Sequence, residues 1–182
     1  MSGKLRIGII GCGDFLRLRA ADLLSSRQVE VKLLYSPVNS ANAERYAEIF
    51  GAKAADSPEA IINDPEIDVV CVFVPPFVRK EYVLAAAKAG KQIVATKPLA
   101  ADLSDAREMT EAVEQAGGRG GVIYRRTNNP VIEAYKEIFS GGEFGKLALY
   151  KQDWLHHYPT WNRWATDPKK MVAHSWTLCC II

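Results

Sequence analysis

Leu5-Arg6-Ile7-Gly8-Ile9-Ile10-Gly11-Cys12-Gly13-Asp14-Phe15-Leu16 is the stretch on which the reading of this chain turns. A short, mostly apolar stretch with three isoleucines predicts a strand over Leu5–Ile10, and Gly11-Cys12-Gly13 breaks it. Beyond the break, Leu16, Ala20, Leu23 and Leu24 recur at helical spacing with arginines between them, predicting a helix over 16–25. Strand, glycine loop and helix in that order make up the opening of a βαβ unit.

Outward from this point the alternation repeats. A second strand is expected over Val29–Tyr35, and a second helix over 41–50, closed by Gly51. Ser57-Pro58-Glu59 starts a helix with a capping hydroxyl and a proline at the first helical position. Residues 67–74 are apolar but for Asp68 and largely β-branched, the composition of a central parallel strand buried on both faces. A helix over 80–89 stopped by Gly90, a strand over 92–95, a helix over 104–115 and a strand over 122–124 complete the series. This is an α/β pattern, a doubly wound parallel sheet with helices on both faces. After Tyr124 the texture changes. Polar, turn-rich residues 125–130 precede a helix over 131–139, a Gly141-Gly142 break, a strand over 146–155 and a tryptophan-rich stretch with Trp154, Trp161 and Trp164. The expected organisation is an α/β domain over 1–124 and the beginning of an α+β domain over 125–182.

Composition narrows the function. The 182 residues carry 23 Lys+Arg against 21 Asp+Glu, and a net charge of +2 offers no basic face for nucleic acid or an anionic membrane. No apolar run approaches the ~20 residues of a spanning helix, and the N-terminus passes straight into a strand without a leader-like segment. Cys12, Cys71, Cys179 and Cys180 lack metal-ligand spacing. Adjacent His156 and His157 on a strand would point to opposite faces, so no metal site is expected. A cytoplasmic location follows as the expectation.

In the glycine loop, the first glycine permits a tight turn. The second lets a pyrophosphate approach the backbone at the N-terminus of the following helix. The third glycine of the usual fingerprint is missing, Leu16 standing in its place; a tight turn with no ligand is the plainer alternative. An acidic residue about 20 positions on would grip a ribose 2′-hydroxyl. Here Ser36 follows Tyr35, uncharged and unable to repel a 2′-phosphate, which tilts the cofactor towards NADP over NAD. Asn39 and Arg45 are the nearest donors, and Ser36-Pro37 also reads as simple turn chemistry.

Four collinear segments resemble the Gfo/Idh/MocA family of NAD(P)-dependent oxidoreductases. They are residues 8–13, residues 68–76 ending in Val74-Pro75-Pro76, residues 89–99 containing Thr96-Lys97-Pro98-Leu99, and Tyr124-Arg125-Arg126 with Asn129-Pro130. The resemblance implies a Rossmann-type sheet, NADP or NAD as cofactor and a sugar- or polyol-like small molecule as substrate. It implies that Lys97 is catalytic, beside the nicotinamide and the reacting carbinol, where an ammonium stabilises a developing alkoxide and relays its proton. A solvated lysine at a strand end is the plainer alternative. Cofactor contacts are expected from Gly11, Gly13, Asp14, Phe15, Leu16, Ser36, Val74, Pro75, Pro76, Thr96, Lys97 and Arg126, with Phe77 beside the prolines as cleft wall or turn residue.

Two positions depart from the family pattern. Thr96 stands for a glutamate that would orient the lysine and cofactor, and Arg79 stands for a histidine. The family also continues past Asp167-Pro168 into a glycine run and an Asp-x-x-x-His pair that complete catalysis, whereas this chain reads Met171 to Ile182 without them. Reverse translation read one base earlier forces glycine at Met171/Val172, aspartate at Trp176/Thr177, and histidine or tyrosine at Cys180/Ile181. That is the family spacing, so the expectation is an out-of-frame tail on a truncated chain; coincidence is the alternative. Such a chain would bind cofactor better than it turns substrate over, or act as a non-catalytic dinucleotide-binding module. The strand over 146–155 would keep an unpaired edge, with homo-oligomerisation through the C-terminal region or disorder after about 160 as the expected outcome.

Overall fold

Parallel strands cannot be joined by tight turns, so each strand must be followed by a crossover long enough to return to the same edge. The computed structural model describes residues 3–124, 130–143 and 145–146. The elements run β1 (Leu5–Ile10), α1 (Asp14–Ser25), β2 (Val29–Tyr35), α2 (Ser40–Phe50), β3 (Lys53–Ala54), α3 (Pro58–Ile62), β4 (Val69–Val72), α4 (Pro76–Lys88), β5 (Gln92–Thr96), α5 (Leu103–Gln115), β6 (Gly120–Ile123) and α6 (Pro130–Ser140). The chain divides into two units, Met1–Ile123 and Tyr124–Ile182. The first holds one six-stranded sheet in the order β3-β2-β1-β4-β5-β6, with every recorded pairing parallel. The described element of the second is α6.

Successive strand residues face opposite sides, and β4 shows what this does to a strand with no polar residue. Val69 and Cys71 join a core layer with Ile7, Ile9, Leu16, Ala43, Tyr46 and Ala47. Val70 and Val72 join the opposite layer with Ile10, Ile61, Val83, Ala86, Met109 and Val113. Helices α1 and α2 therefore cover one face while α3, α4 and α5 cover the other. The Cys12 and Cys71 thiols are buried, and burial pushes both up to about 12. Among the described residues, no helix is long and apolar enough to cross a membrane.

Local signals account for the helix ends. The Ser57 hydroxyl accepts the Ala60 N–H at 3.3 Å with Pro58 following it, as the sequence predicts. The Asp102 carboxylate accepts the Asp105 N–H at 2.9 Å, and this bond with that of Ser104 holds the carboxyl below its usual range. Gly51, with φ of +64°, closes α2 in the left-handed conformation.

The structure shifts several expected boundaries. Helix α4 begins at Pro76 rather than at residue 80, because proline in the first turn surrenders an N–H that has no helical partner anyway. Helix α1 begins two residues early, at Asp14. Strand β6 takes in Gly120 and Gly121, which read as breakers. The two-residue β3 carries no apolar alternation and is exposed on both residues. The strand expected over 146–155, His156, His157, the tryptophans and the tail lie outside the described residues.

Gly8 sits in the middle of β1 because α3 closes on it: a Cβ there would run into Ile61 Cγ2. Gly8→Ala is expected to destabilise the first unit by about 1–3 kcal/mol, as overpacking does. The same change in an Ile61→Ala background should cost much less, the obstructing methyl being gone. Urea denaturation midpoints of the four proteins in the cycle check this.

Candidate functional site

In the sheet order, β1 is flanked by β2 on one side and β4 on the other, so the connections leaving β1 and β4 depart to opposite faces. Open α/β sheets hold ligands in the crevice at such a reversal, beyond the carboxyl ends of the strands. Ile10 pairs with Val72 across this point. The glycine loop, the β4–α4 connection and the end of β5 all emerge here.

Gly11 has φ of +109°, and a Cβ on it would lie 2.8 Å from the Phe73 carbonyl carbon and 2.9 Å from the Val74 nitrogen. Only glycine lets the loop after β1 pass so close to the chain leaving β4. Its own N–H is donated to the Tyr35 carbonyl at 2.8 Å. Gly13 differs: it caps α1 with φ of −97°, makes no side-chain cap, and a Cβ there would meet nothing within 4 Å. The first recorded intrahelical bond is from the Arg17 N–H to the Gly13 carbonyl at 3.1 Å. The N–H groups of Asp14, Phe15 and Leu16 precede it, in the turn where helical donors lack helical acceptors. Open space over that turn, where a Ser or Asp cap would sit, fits an anionic phosphate group.

A cavity of about 260 Å³ adjoins this turn, lined by Cys12, Gly13, Asp14 and Arg17 and, from α2, Asn42, Arg45 and Tyr46. Arg17 Nε lies 3.3 Å from Asp14, a solvent-exposed pair that holds the guanidinium only loosely. Arg45 and Asn42 bring further donors. Ser36, half-buried just past β2, does not line this cavity. Sequence reading named Arg45 as a nearby donor but missed Arg17 and Asn42. Their signal was positional: Arg17 stands one turn beyond Gly13, and Asn42 sits in the first turn of α2 one turn before Arg45.

The other expected positions divide by what they expose. Leu16 is 0% exposed and belongs to the core, so whatever it offers a ligand is its backbone N–H. Phe15 packs edge-on against Phe73 with ring centroids 4.9 Å apart, tying the start of α1 to the exit of β4. Val74, Pro76 and Thr96 are buried, Pro75 is half-buried, and Lys97 is exposed just after β5. Phe77 is exposed on the first turn of α4. Arg126 lies outside the described residues.

Arg79 is the residue whose importance the sequence reading did not foresee. At 1% exposure it is a fully buried cation. Its Nη1 donates to the Thr96 carbonyl at 2.5 Å, to the Leu99 carbonyl at 2.9 Å and to the Pro98 carbonyl. Its Nη2 donates to the Val74 carbonyl at 2.6 Å and to Thr96 Oγ1 at 2.5 Å. One planar guanidinium thus clamps the exit of β4 to both sides of Lys97. Nε has no hydrogen-bond partner among the described residues. Burial lowers the guanidinium to about 10, still well above neutrality, so the charge persists. A signal was present: Arg79, Val83, Ala86 and Ala87 fall at i, i+4, i+7 and i+8, the core-facing stripe of α4.

Comparison with known proteins bears on the family and the fold. Residues 5–124 match the family described as an oxidoreductase family with an NAD-binding Rossmann fold (Gfo/Idh/MocA). An uncharacterized oxidoreductase of Streptococcus pneumoniae is 36% identical over 176 residues, covering 93% of this chain and 46% of that protein. The 1,5-anhydro-D-fructose reductase of Ensifer adhaerens is 30% identical over 141 residues, covering 78% of this chain and 42% of its own. A crystal structure of a 3-ketoreductase from Actinomadura kijaniata in complex with NADP superposes with a TM-score of 0.71 at 26% identity, over 78% of this chain and 45% of that one. The chain spans less than half the length of these relatives.

Gly11→Ala is expected to lower stability by about 1–3 kcal/mol through backbone collision and strain. Gly13→Ser should leave stability unchanged or raise it by a few tenths of a kcal/mol, because serine caps helices slightly better than glycine. Thermal and urea unfolding of both variants test the contrast.

Proposed function

The chain belongs to the Gfo/Idh/MocA oxidoreductase family with its NAD-binding Rossmann fold, and on that footing we propose that it binds NADP(H) and serves hydride transfer to or from a sugar- or polyol-like alcohol. The observation that carries the proposal is the uncapped N-terminus of α1, opening onto a cavity that holds two arginines. Amides of Asp14, Phe15 and Leu16, with the helix dipole behind them, are the donors for the pyrophosphate. Arg17, Arg45 and Asn42 are the donors for a 2′-phosphate. A charge-assisted bond to phosphate contributes about 1.5–3 kcal/mol, enough to decide between NADP and NAD by tenfold or more. Ser36 does not line this cavity, so the tilt towards NADP rests on these donors rather than on Ser36.

The cofactor supplies the hydride acceptor or donor. Lys97, exposed at the carboxyl end of β5, stands where these sheets meet their ligands. Its ammonium is suited to stabilise an alkoxide on the carbinol carbon and to pass a proton to or from the oxygen. Of the residues expected to wall this crevice, half-buried Pro75 and exposed Phe77 have side chains that a ring or substrate can meet, whereas Pro76 is buried.

Fluorescence titration should give tighter binding of NADPH than of NADH by about tenfold, and Arg45→Ala should erase most of the difference by weakening NADPH alone. Gly13→Ser should weaken both nucleotides at least tenfold without loss of stability, since its hydroxyl competes for the amide donors. Lys97→Ala should leave nucleotide affinity within a few-fold and cut turnover on a polyol and keto-sugar panel about a hundredfold or more. Binding without turnover in the unmodified chain would favour a dinucleotide-binding module over an enzyme.

A further inference from the structure

Lys97 is exposed just after β5, so the position of its ammonium is set first by the backbone that carries it. One side chain holds that backbone. Arg79 Nη1 donates to the carbonyl immediately before Lys97, that of Thr96, at 2.5 Å. It donates also to the two carbonyls that follow, those of Pro98 and, at 2.9 Å, Leu99. Nη2 donates to Thr96 Oγ1 at 2.5 Å and to the Val74 carbonyl at 2.6 Å, so the same planar group anchors the turn to the chain leaving β4. The two positions at which this chain departs from the family pattern, 79 and 96, are thus bonded to each other.

Packing alone does not ask for this arrangement. Val83, Ala86 and Ala87 complete the core-facing stripe of α4 with apolar side chains. An apolar residue at 79 would continue the stripe without the desolvation that pushes the Arg79 guanidinium down to about 10. Lysine would not serve either. An ammonium offers three donors from one point, whereas the guanidinium fork reaches acceptors on separate segments.

We propose that Arg79 is a positioning residue for the reaction. By tying the carbonyls on both sides of Lys97 and the Thr96 hydroxyl to the end of β4, it holds the Lys97 ammonium where proton transfer needs it. Its action is through Lys97 and not on the reacting atoms. The inference rests on the reading above that Lys97 is catalytic. Displacing a reacting group by ~1 Å can cost about a hundredfold in rate. Loosening the turn should therefore tell on turnover rather than on nucleotide affinity, whose proposed donors lie on α1 and α2.

The test is a double-mutant cycle on the full chain between Arg79→Lys and Lys97→Ala, with thermal melting to confirm folding. Turnover is followed on the polyol and keto-sugar panel, and NADPH affinity by fluorescence. Arg79→Lys should lower kcat about tenfold, with KM and nucleotide affinity within a few-fold. Once Lys97 is alanine, the same change should cost nothing further. A purely structural role predicts equal losses in both backgrounds, and that result overturns the inference while leaving the Lys97 and nucleotide readings standing. Acetylation of Lys97 by sulfo-N-hydroxysuccinimide acetate, read by peptide mass spectrometry, reports its placement without turnover. Saturating NADPH should shield Lys97 several-fold in the unmodified chain and much less in Arg79→Lys; equal shielding overturns the inference. In a chain that binds nucleotide without turnover, this shielding decides alone. If Arg79→Lys does not fold, Thr96→Val removes one acceptor and Thr96→Ser keeps it. Turnover and shielding should then fall in the first and hold in the second, and equal behaviour overturns the inference. Folded protein that binds NADPH without shielding Lys97 overturns the Lys97 reading and this inference with it.

Discussion

Burial of β4 on both faces is the constraint from which the rest of the first unit follows. A strand made only of Val69, Val70, Cys71 and Val72 has no side to give to water, so helices must cover it above and below. Successive parallel strands added on either side of the β1–β4 pair meet this demand, with their crossovers leaving towards opposite faces. The crevice between the departing loops is a by-product of that packing. Gly8 and Gly11 are the places where it is tightest, one admitting α3 against β1 and the other admitting the β1 loop against the chain leaving β4.

Chemistry then depends on how the crevice edges are held in register. Phe15 against Phe73 fixes the beginning of α1 relative to β4. The Arg79 guanidinium fixes β4 relative to β5 through carbonyls that regular sheet pairing leaves over. At the opposite, amino end of the sheet, Arg6 grips Asp68 through both its side chain and its backbone N–H, and this pair holds the Asp68 carboxyl down at about 2. The two ends are secured differently. The amino end has a half-buried ion pair, while the carboxyl end has a buried cation whose partners among the described residues are neutral.

Much of this was legible in the residues. Strand and helix types from residue 5 to 123 follow from apolar runs, helical stripes, Ser57-Pro58 and Gly51, since these are local effects that act before any tertiary contact forms. The elements that escaped, β3 and the glycine half of β6, have no local apolar pattern, and they exist because neighbouring strands supply the hydrogen-bond partners. Reading Arg79 as a departure from the family pattern located an important residue without revealing its task. The task needs knowledge of which carbonyls converge at one point, and those belong to residues 74, 96, 98 and 99. Leu16 shows the converse, since its place in the loop pattern was evident while its side chain went to the core.

The sequence by itself determined the alternation of strands and helices and the glycine loop between β1 and α1, because periodicity, caps and glycine requirements are properties of short segments; family membership was legible in it through the likeness of collinear segments to known relatives. Only the tertiary structure decided that Arg17, Asn42 and Arg45 share one cavity, that Ser36 does not line it, and that a buried guanidinium gathers the carbonyls on both sides of Lys97. Those facts depend on distances between residues up to 28 positions apart, and such distances are set by how the sheet twists and how its helices pack, which no local pattern encodes.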